Sequence, residues 1–218
     1  MQKSKKQGKR KKPEQNSGFE LELKRQLFHA AAGILTVLIL VSFSRTVSVI
    51  YLGGVLVSLI VLTIYRENRP SIHSNSGIKG MYGFESWLER RVLQLERPGE
   101  LALRGALFFF MSSFIVFEFF PLKIAIASIL VLAIADAAST LIGKTWGVHK
   151  LPVNRDKSWE GSVAFFVAAT ATLSMFMYPT SAALVALAAM LVEMIPKVDD
   201  NLTVPAAIAL IISLLKLV

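Results

Sequence analysis

An aspartate set near the end of an apolar run, Asp136, is followed by four basic side chains, three glycines and a further acid that opens the next apolar run. The basic residues are Lys144, Lys150, Arg155 and Lys157, the glycines Gly143, Gly147 and Gly161, and the acid Glu160. A carboxylate within an apolar helix costs at least a few kcal/mol, so Asp136 calls for a metal or proton-transfer role, with an interhelical salt bridge as the plain alternative. Gly143 and Gly147 permit backbone N–H groups to approach an anion. Ser158-Trp159-Glu160-Gly161 brings a hydroxyl and the free amides of a helix start. Together with Lys144, Asn154, Arg155 and Lys157 these residues make a candidate phosphate-binding set. Asp136, Lys157 and Glu160 are the candidate catalytic residues.

A second acidic group follows at Glu193 and Asp199-Asp200-Asn201. Oxygen ligands spread over two loops, completed by substrate phosphates, are a common way to hold Mg²⁺. The candidate metal ligands are therefore Asp136, Glu160, Asp199 and Asp200, with helix capping as the alternative for Asp200 and Asn201. Gly143-Lys144-Thr145 suggests a Walker A loop, but Ala138 stands where that motif needs its first glycine, and no strand precedes it. A P-loop is excluded.

The elements that must position these residues are apolar. Hydrophobic residues make up 54% of the 218-residue chain, which predicts an all-α, polytopic membrane helix bundle. Seven candidate spans are read at 27–43, 46–65, 101–120, 122–142, 162–178, 181–195 and 202–218. Residues 1–18 are read as a disordered basic tail that also attracts anionic headgroups, and 19–218 as a single membrane domain. The first run is longer than a usual signal core and lacks a small-x-small site, so it is read as retained. The absence of cysteine removes disulfides and thiolate metal sites.

Of the 24 Lys/Arg residues, twenty lie in the N-terminal segment and the even-numbered loops and three on the other side, with Arg104 inside a span. By the positive-inside rule the N-terminus and the Asp136–Gly161 loop face the cytoplasm. Arg25 and His29 fall four residues apart on one helical face at the cytoplasmic end of the first span, a candidate lipid-access position, with a hydrogen-bonded interface histidine as the plain alternative for His29. The stretch Phe84–Glu96 carries an apolar helical stripe that predicts an amphipathic interfacial helix, after a glycine-bearing loop from Ser71 to Gly83. Arg104 and Glu118 both lie near span ends and are read as interface residues.

At these residues the chain resembles the polyprenol kinases: dolichol kinase, phytol kinase and the CTP-dependent diacylglycerol kinases, relatives of the phosphatidate cytidylyltransferases. The shared pattern is Asp-x-x-Ala, spaced glycines, then Lys-Ser/Thr-x-Glu-Gly. Here it is Asp136, Ala138 one place before the family's Ala (Ser139 holds that position), Gly143, Gly147 and Lys157-Ser158-Trp159-Glu160-Gly161. The segment from Glu22 through Lys24, Arg25 and His29 to Gly33 is similar to the family's N-terminal motif, and Glu193 with Asp199-Asp200-Asn201 to its C-terminal acidic patch. The resemblance implies a membrane-embedded kinase that phosphorylates a lipid alcohol with CTP and a divalent cation, Mg²⁺ foremost. A cytidylyltransferase, releasing pyrophosphate instead of CDP, is the nearest alternative, and a proton-coupled transporter a more distant one.

Overall fold

The computed structural model describes residues 12–67, 103–195 and 199–217. The expected amphipathic helix at Phe84–Glu96, its preceding loop, Lys197 and the first eleven residues lie outside the described residues.

All seven apolar runs form helices. They are α1 (Lys12–Ser42), α2 (Arg45–Glu67) and α3 (Arg104–Phe119), then α4 (Leu122–Val131), which passes through a π-helical turn (Leu132–Asp136) into α5 (Ala137–Trp146). The last three are α6 (Trp159–Leu173), α7 (Pro179–Glu193) and α8 (Asp200–Leu215). The first helix begins at Lys12, inside the segment expected to be disordered.

The α4–π–α5 rod is the core of the bundle. Ala125, Ala127, Ile129, Val131, Leu132, Ala133 and Ala135 are fully buried along it, and α1, α3, α6 and α8 pack around it. Small side chains set the spacing: a Cβ on Gly33 of α1 would stand 2.3 Å from the Cβ of Ala133, so α1 crosses the π turn at backbone distance. By contrast α2 is peripheral. An 18-residue window of it is 17% buried, against 61% for the Leu122–Trp146 rod.

Leu27, Phe28, Leu35, Leu38 and Val41 on α1, with Ile50, Val57, Val61 and Ile64 on α2, point outward. Apolar surface this continuous belongs in hydrocarbon. Among the described residues three helical stretches are long and apolar enough to cross a membrane: Phe19–Ser42, Arg45–Tyr65 and Leu122–Trp146. The helices α6, α7 and α8 are apolar but shorter, at 15, 15 and 16 residues. At about 1.5 Å per residue they span some 22–24 Å, less than the roughly 30 Å of a hydrocarbon core. Turns such as the one from Ser174 to Tyr178 end the regular helix where the apolar run itself continues.

The two ends of the bundle differ in chemistry. At the end where α1 meets α2, Arg45 bonds the Glu118 carboxylate at 3.1 Å and its backbone carbonyl at 3.0 Å, and both side chains remain partly exposed. All the remaining ion pairs described below gather at the opposite end.

Candidate active site

Most of the sequence candidates border a single cavity of about 340 Å³. Asp136, Gly143, Lys144, Lys157, Ser158, Gly161, Asp199 and Asp200 line it, as do Arg25 and His29. Asp136 ends the π-helical turn. That irregularity, a frequent mark of functional sites, is invisible in the residue pattern, which reads as one unbroken apolar helix.

Opposite charges meet across helices. Glu22 of α1, nearly buried, accepts from Arg25 at 2.9 Å and from Gln26 at 3.0 Å, and is ion-paired with Lys144 at the end of α5. Arg104, at the start of α3, donates to Asp199 at 3.0 Å. The Lys157 ammonium meets three acceptors, each at 2.7 Å: the Glu193 carboxylate, the Glu193 backbone carbonyl and the Asp200 carboxylate. Ser139 donates to the same Glu193 carboxylate at 3.0 Å. One lysine thus ties the C-terminus of α7 to the N-terminus of α8, with α5 joined through Ser139.

Burial alone would lower the Lys157 pKa, but the charges of Asp200 and Glu193 outweigh it and hold the ammonium above its ordinary value. Asp199 is raised as well, which for an acid favours the neutral form: burial first, then the neighbouring Asp200 charge, lift its carboxyl above the usual range despite Arg104.

The glycines have a packing role. A Cβ on Gly161 would lie 2.9 Å from the Ser139 carbonyl oxygen and 3.2 Å from the Gly143 Cα, so α5 and α6 cross at this pair. Gly147 leaves no room for a Cβ either, with the Gly143 oxygen at 2.0 Å and the Ser158 Oγ at 2.4 Å from its position. The expected anion cradle differs from this arrangement. The Gly147 N–H donates to Gly143 at 3.1 Å, and the Gly161 N–H donates to Ser158 Oγ, which caps α6, at 3.2 Å. Those amides already have acceptors.

Four sequence candidates fall outside the cavity wall. Gly147 closes the turn after α5. Asn154 shapes the loop that follows: its side-chain oxygen accepts from the Asp156 N–H at 3.2 Å and its carbonyl from the Lys157 N–H at 3.1 Å, an Asx turn closed by the Lys150–Ser158 bridge. Arg155 is exposed at its tip. Glu160 turns to the outer side, where its carboxylate meets His149 Nδ1 at 2.6 Å and the His149 N–H at 3.2 Å. Polar groups with strong local partners satisfy those first, and spacing along the chain cannot show which way a loop residue faces.

Other wall residues do not stand out in the residue pattern. Arg104, expected at an interface, lines the cavity, as do Gln26, Thr140 and Asp156. Glu22 carries a signal of its own: an acid three residues before Arg25 and four before Gln26 shares their helical face. Asp199, rather than Asp200 or Asn201, caps α8, accepting from the Asn201 N–H at 3.1 Å.

No group of three or more His, Asp or Glu side chains among the described residues converges as a ready metal cage. The carboxylates of Asp136, Glu193, Asp199 and Asp200 nonetheless share the cavity wall. An all-oxygen donor set of this kind fits a hard cation bound jointly with substrate phosphates.

The protein is all-helical with membrane-length apolar helices, and its cavity is bordered by paired acids and bases together with apolar side chains, the make-up of a membrane-embedded helical protein with a charged internal site. Comparison with known proteins specifies the family. The probable chloroplastic phytol kinase of Zea mays is 32% identical over 217 residues, covering 90% of this chain and 68% of that protein. The chloroplastic farnesol kinase of Arabidopsis thaliana is 26% identical over 211 residues, 88% of this chain and 65% of that one. The CTP-dependent diacylglycerol kinase 1 of Schizosaccharomyces pombe is 33% identical over 66 residues, 30% of each. The chain spans about two thirds or less of the length of these relatives. No protein-family model matches it, and no solved structure does. The chain belongs to the polyprenol, phytol and diacylglycerol kinase family, phosphotransferases with an alcohol group as acceptor.

Proposed function

We propose that this chain is a CTP-dependent kinase that phosphorylates the hydroxyl group of a membrane lipid alcohol, with its site at the cytoplasmic face. The observation that carries the reading is the cavity itself. Its lining combines apolar side chains, Ala32, Phe109 and Phe110, with charged ones, Arg25, Arg104, Lys144, Asp136, Asp199 and Asp200. An amphiphilic alcohol and a nucleotide triphosphate have those two characters. Family membership supplies the chemistry, and the name of the fission-yeast relative supplies the choice of CTP.

In this mechanism the hydroxyl oxygen attacks the terminal phosphorus and CDP leaves. Arg25, Lys144 and Arg104 border the space for the phosphates, and their charge offsets the negative charge that spreads over the transferred group. Each is paired with a carboxylate now, so an arriving triphosphate competes for a cation already oriented. Lys157, saturated by three acceptors, acts as a positioning residue that holds Asp200 and Glu193 in place. A divalent cation accompanying the nucleotide would supply further charge neutralisation, with Asp136, Asp199 and Asp200 as its ligands. Glu160 and Arg155 take no part at the cavity.

The test uses the chain in nanodiscs with γ-labelled CTP and a panel of prenyl alcohols, phytol and diacylglycerol. Transfer of label to an alcohol with release of CDP is expected, with Asp136→Asn reducing it by about 100-fold or more in correctly inserted protein. Release of labelled pyrophosphate from CTP on addition of a lipid phosphate, with the cytidylyl group joined to that lipid, would establish a cytidylyltransferase instead. An Asp136→Asn protein with the parent rate would sink the proposed site.

A further inference from the structure

Four buried polar atoms that have no hydrogen-bond partner among the described residues belong to side chains of the cavity wall: Gln26 Oε1, His29 Nε2, Glu193 Oε2 and Asn201 Oδ1. A buried polar group left unpaired is costly, so a cluster of four around one space points to a ligand that supplies donors. Three of them stand in the polar half of the site or beside Glu22. His29 is different in position. Its ring meets Phe109 edge-on at 5.0 Å, with Phe110 against Phe109 at 5.2 Å, while Arg25 lies one turn away on the same face of α1, so apolar and charged lining residues meet at His29.

A neutral imidazole carries one N–H donor and one acceptor nitrogen, and Nε2 is the ring atom left buried without a partner among the described residues. A neutral acceptor at the seam between an apolar and a charged wall suits one kind of group: a hydroxyl at the head of a hydrocarbon chain.

We propose that His29 receives the hydroxyl of the acceptor alcohol, holding its oxygen at the seam with the carbon chain along Phe109. The assignment rests on the kinase reading above and names the residue that binds its acceptor. In the transfer, a bond forms between the hydroxyl oxygen and the terminal phosphorus of the nucleoside triphosphate. The bond from that phosphorus to the bridging oxygen breaks, and its electron pair leaves with the nucleoside diphosphate. The hydroxyl proton passes to the imidazole acceptor nitrogen and then to solvent. With this duty on His29, Asp136 serves the cation side alone.

Two measurements on the chain in nanodiscs decide the matter, with geranylgeraniol and dioleoylglycerol as probes. In the first, His29→Phe preserves ring packing on Phe109 and removes the acceptor. It is expected to lower kcat for alcohol phosphorylation by about 100-fold while leaving affinity for a fluorescent CTP analogue within about twofold of the parent. His29→Gln, which restores an acceptor, should recover part of that loss. A His29→Phe protein with the parent's kcat and KM for the alcohols overturns the proposal. In the second, the parent is labelled with ¹⁵N-histidine and titrated with each alcohol without nucleotide. The His29 ring resonance, assigned by its loss in His29→Phe, should shift; an unmoved resonance at saturating alcohol also overturns the proposal. A shift in a protein that phosphorylates no alcohol would uphold the binding role of His29 and refute the kinase reading.

Discussion

Lys157 illustrates how far a residue's role depends on its neighbours. Its type and position suggest a phosphate ligand, yet the ammonium is spent on Glu193 and Asp200. Glu193 is 2% exposed, so removing its cation leaves a buried carboxylate partly uncompensated. Lys157→Met is therefore expected to lower stability by about 3 kcal/mol, measured by thermal unfolding in detergent. The pH dependence follows from the raised pKa. The folded state holds this proton more tightly than the unfolded chain, so the contribution is complete below the ordinary lysine value of 10.5. It is lost as pH rises through the higher folded value. Lys157→Met should flatten that alkaline decline, and an unchanged profile would show that another group governs it. Glu160, in contrast, meets His149 on the outer side and does not border the cavity. Glu160→Gln should therefore leave the phosphorylation rate within about threefold of the parent; a loss of two orders of magnitude would return Glu160 to the catalytic set.

At the level of elements, the close crossing of α5 and α6 shapes the cavity. Its glycines stand where the residue pattern suggested an anion loop. Alanine at position 161 would gain up to about 1 kcal/mol of helix propensity, but its Cβ would stand 2.9 Å from a backbone oxygen. Backbone cannot swing aside like a flexible side chain, and overpacking of this kind costs roughly 1–3 kcal/mol. The clash outweighs the propensity. Gly161→Ala is expected to reduce the midpoint of thermal unfolding and to weaken CTP-analogue binding together. Unchanged stability would mean that the two helices separate at little cost. The π-helical turn belongs to the same scale. It ends at Asp136, so one local irregularity sets the position from which that acid borders the cavity.

For the whole molecule the separation of charge between the two ends sets a prediction about orientation. The basic N-terminal segment and the Asp136–Gly161 loop are expected on one side of the membrane, and Arg45, Lys123 and Lys216 on the other. The natural chain has no cysteine, so single cysteines can be introduced without background. In sealed vesicles of one orientation, Arg155→Cys and Lys123→Cys should react with a membrane-impermeant maleimide from opposite faces. Labelling of both from the same face would overturn the topology, and with it the proposed cytoplasmic site. The outward apolar faces of α1 and α2 supply the surface that holds the bundle in lipid.

The all-helical class, the seven helical runs and the segments that meet at the site were legible in the sequence, because apolar run length and charge placement are local properties. Asp136 was legible for the same reason: an acid in an apolar helix announces its own cost. What the residue pattern could not decide was pairing. Whether Lys157 faces a phosphate or Glu193, whether Glu160 looks inward or toward His149, and whether Gly161 cradles an anion or admits a neighbouring helix are settled by contacts between segments far apart in the chain. Helix length belongs with these, since turns end α6 and α7 before their apolar runs do. The π-helical turn does too, because its register is paid for by tertiary packing rather than by any local preference. The sequence by itself determined which chemistry is present and at which end of the bundle it gathers. The tertiary structure alone decided which of those groups face the cavity, because direction is a property of packing, which no local pattern encodes.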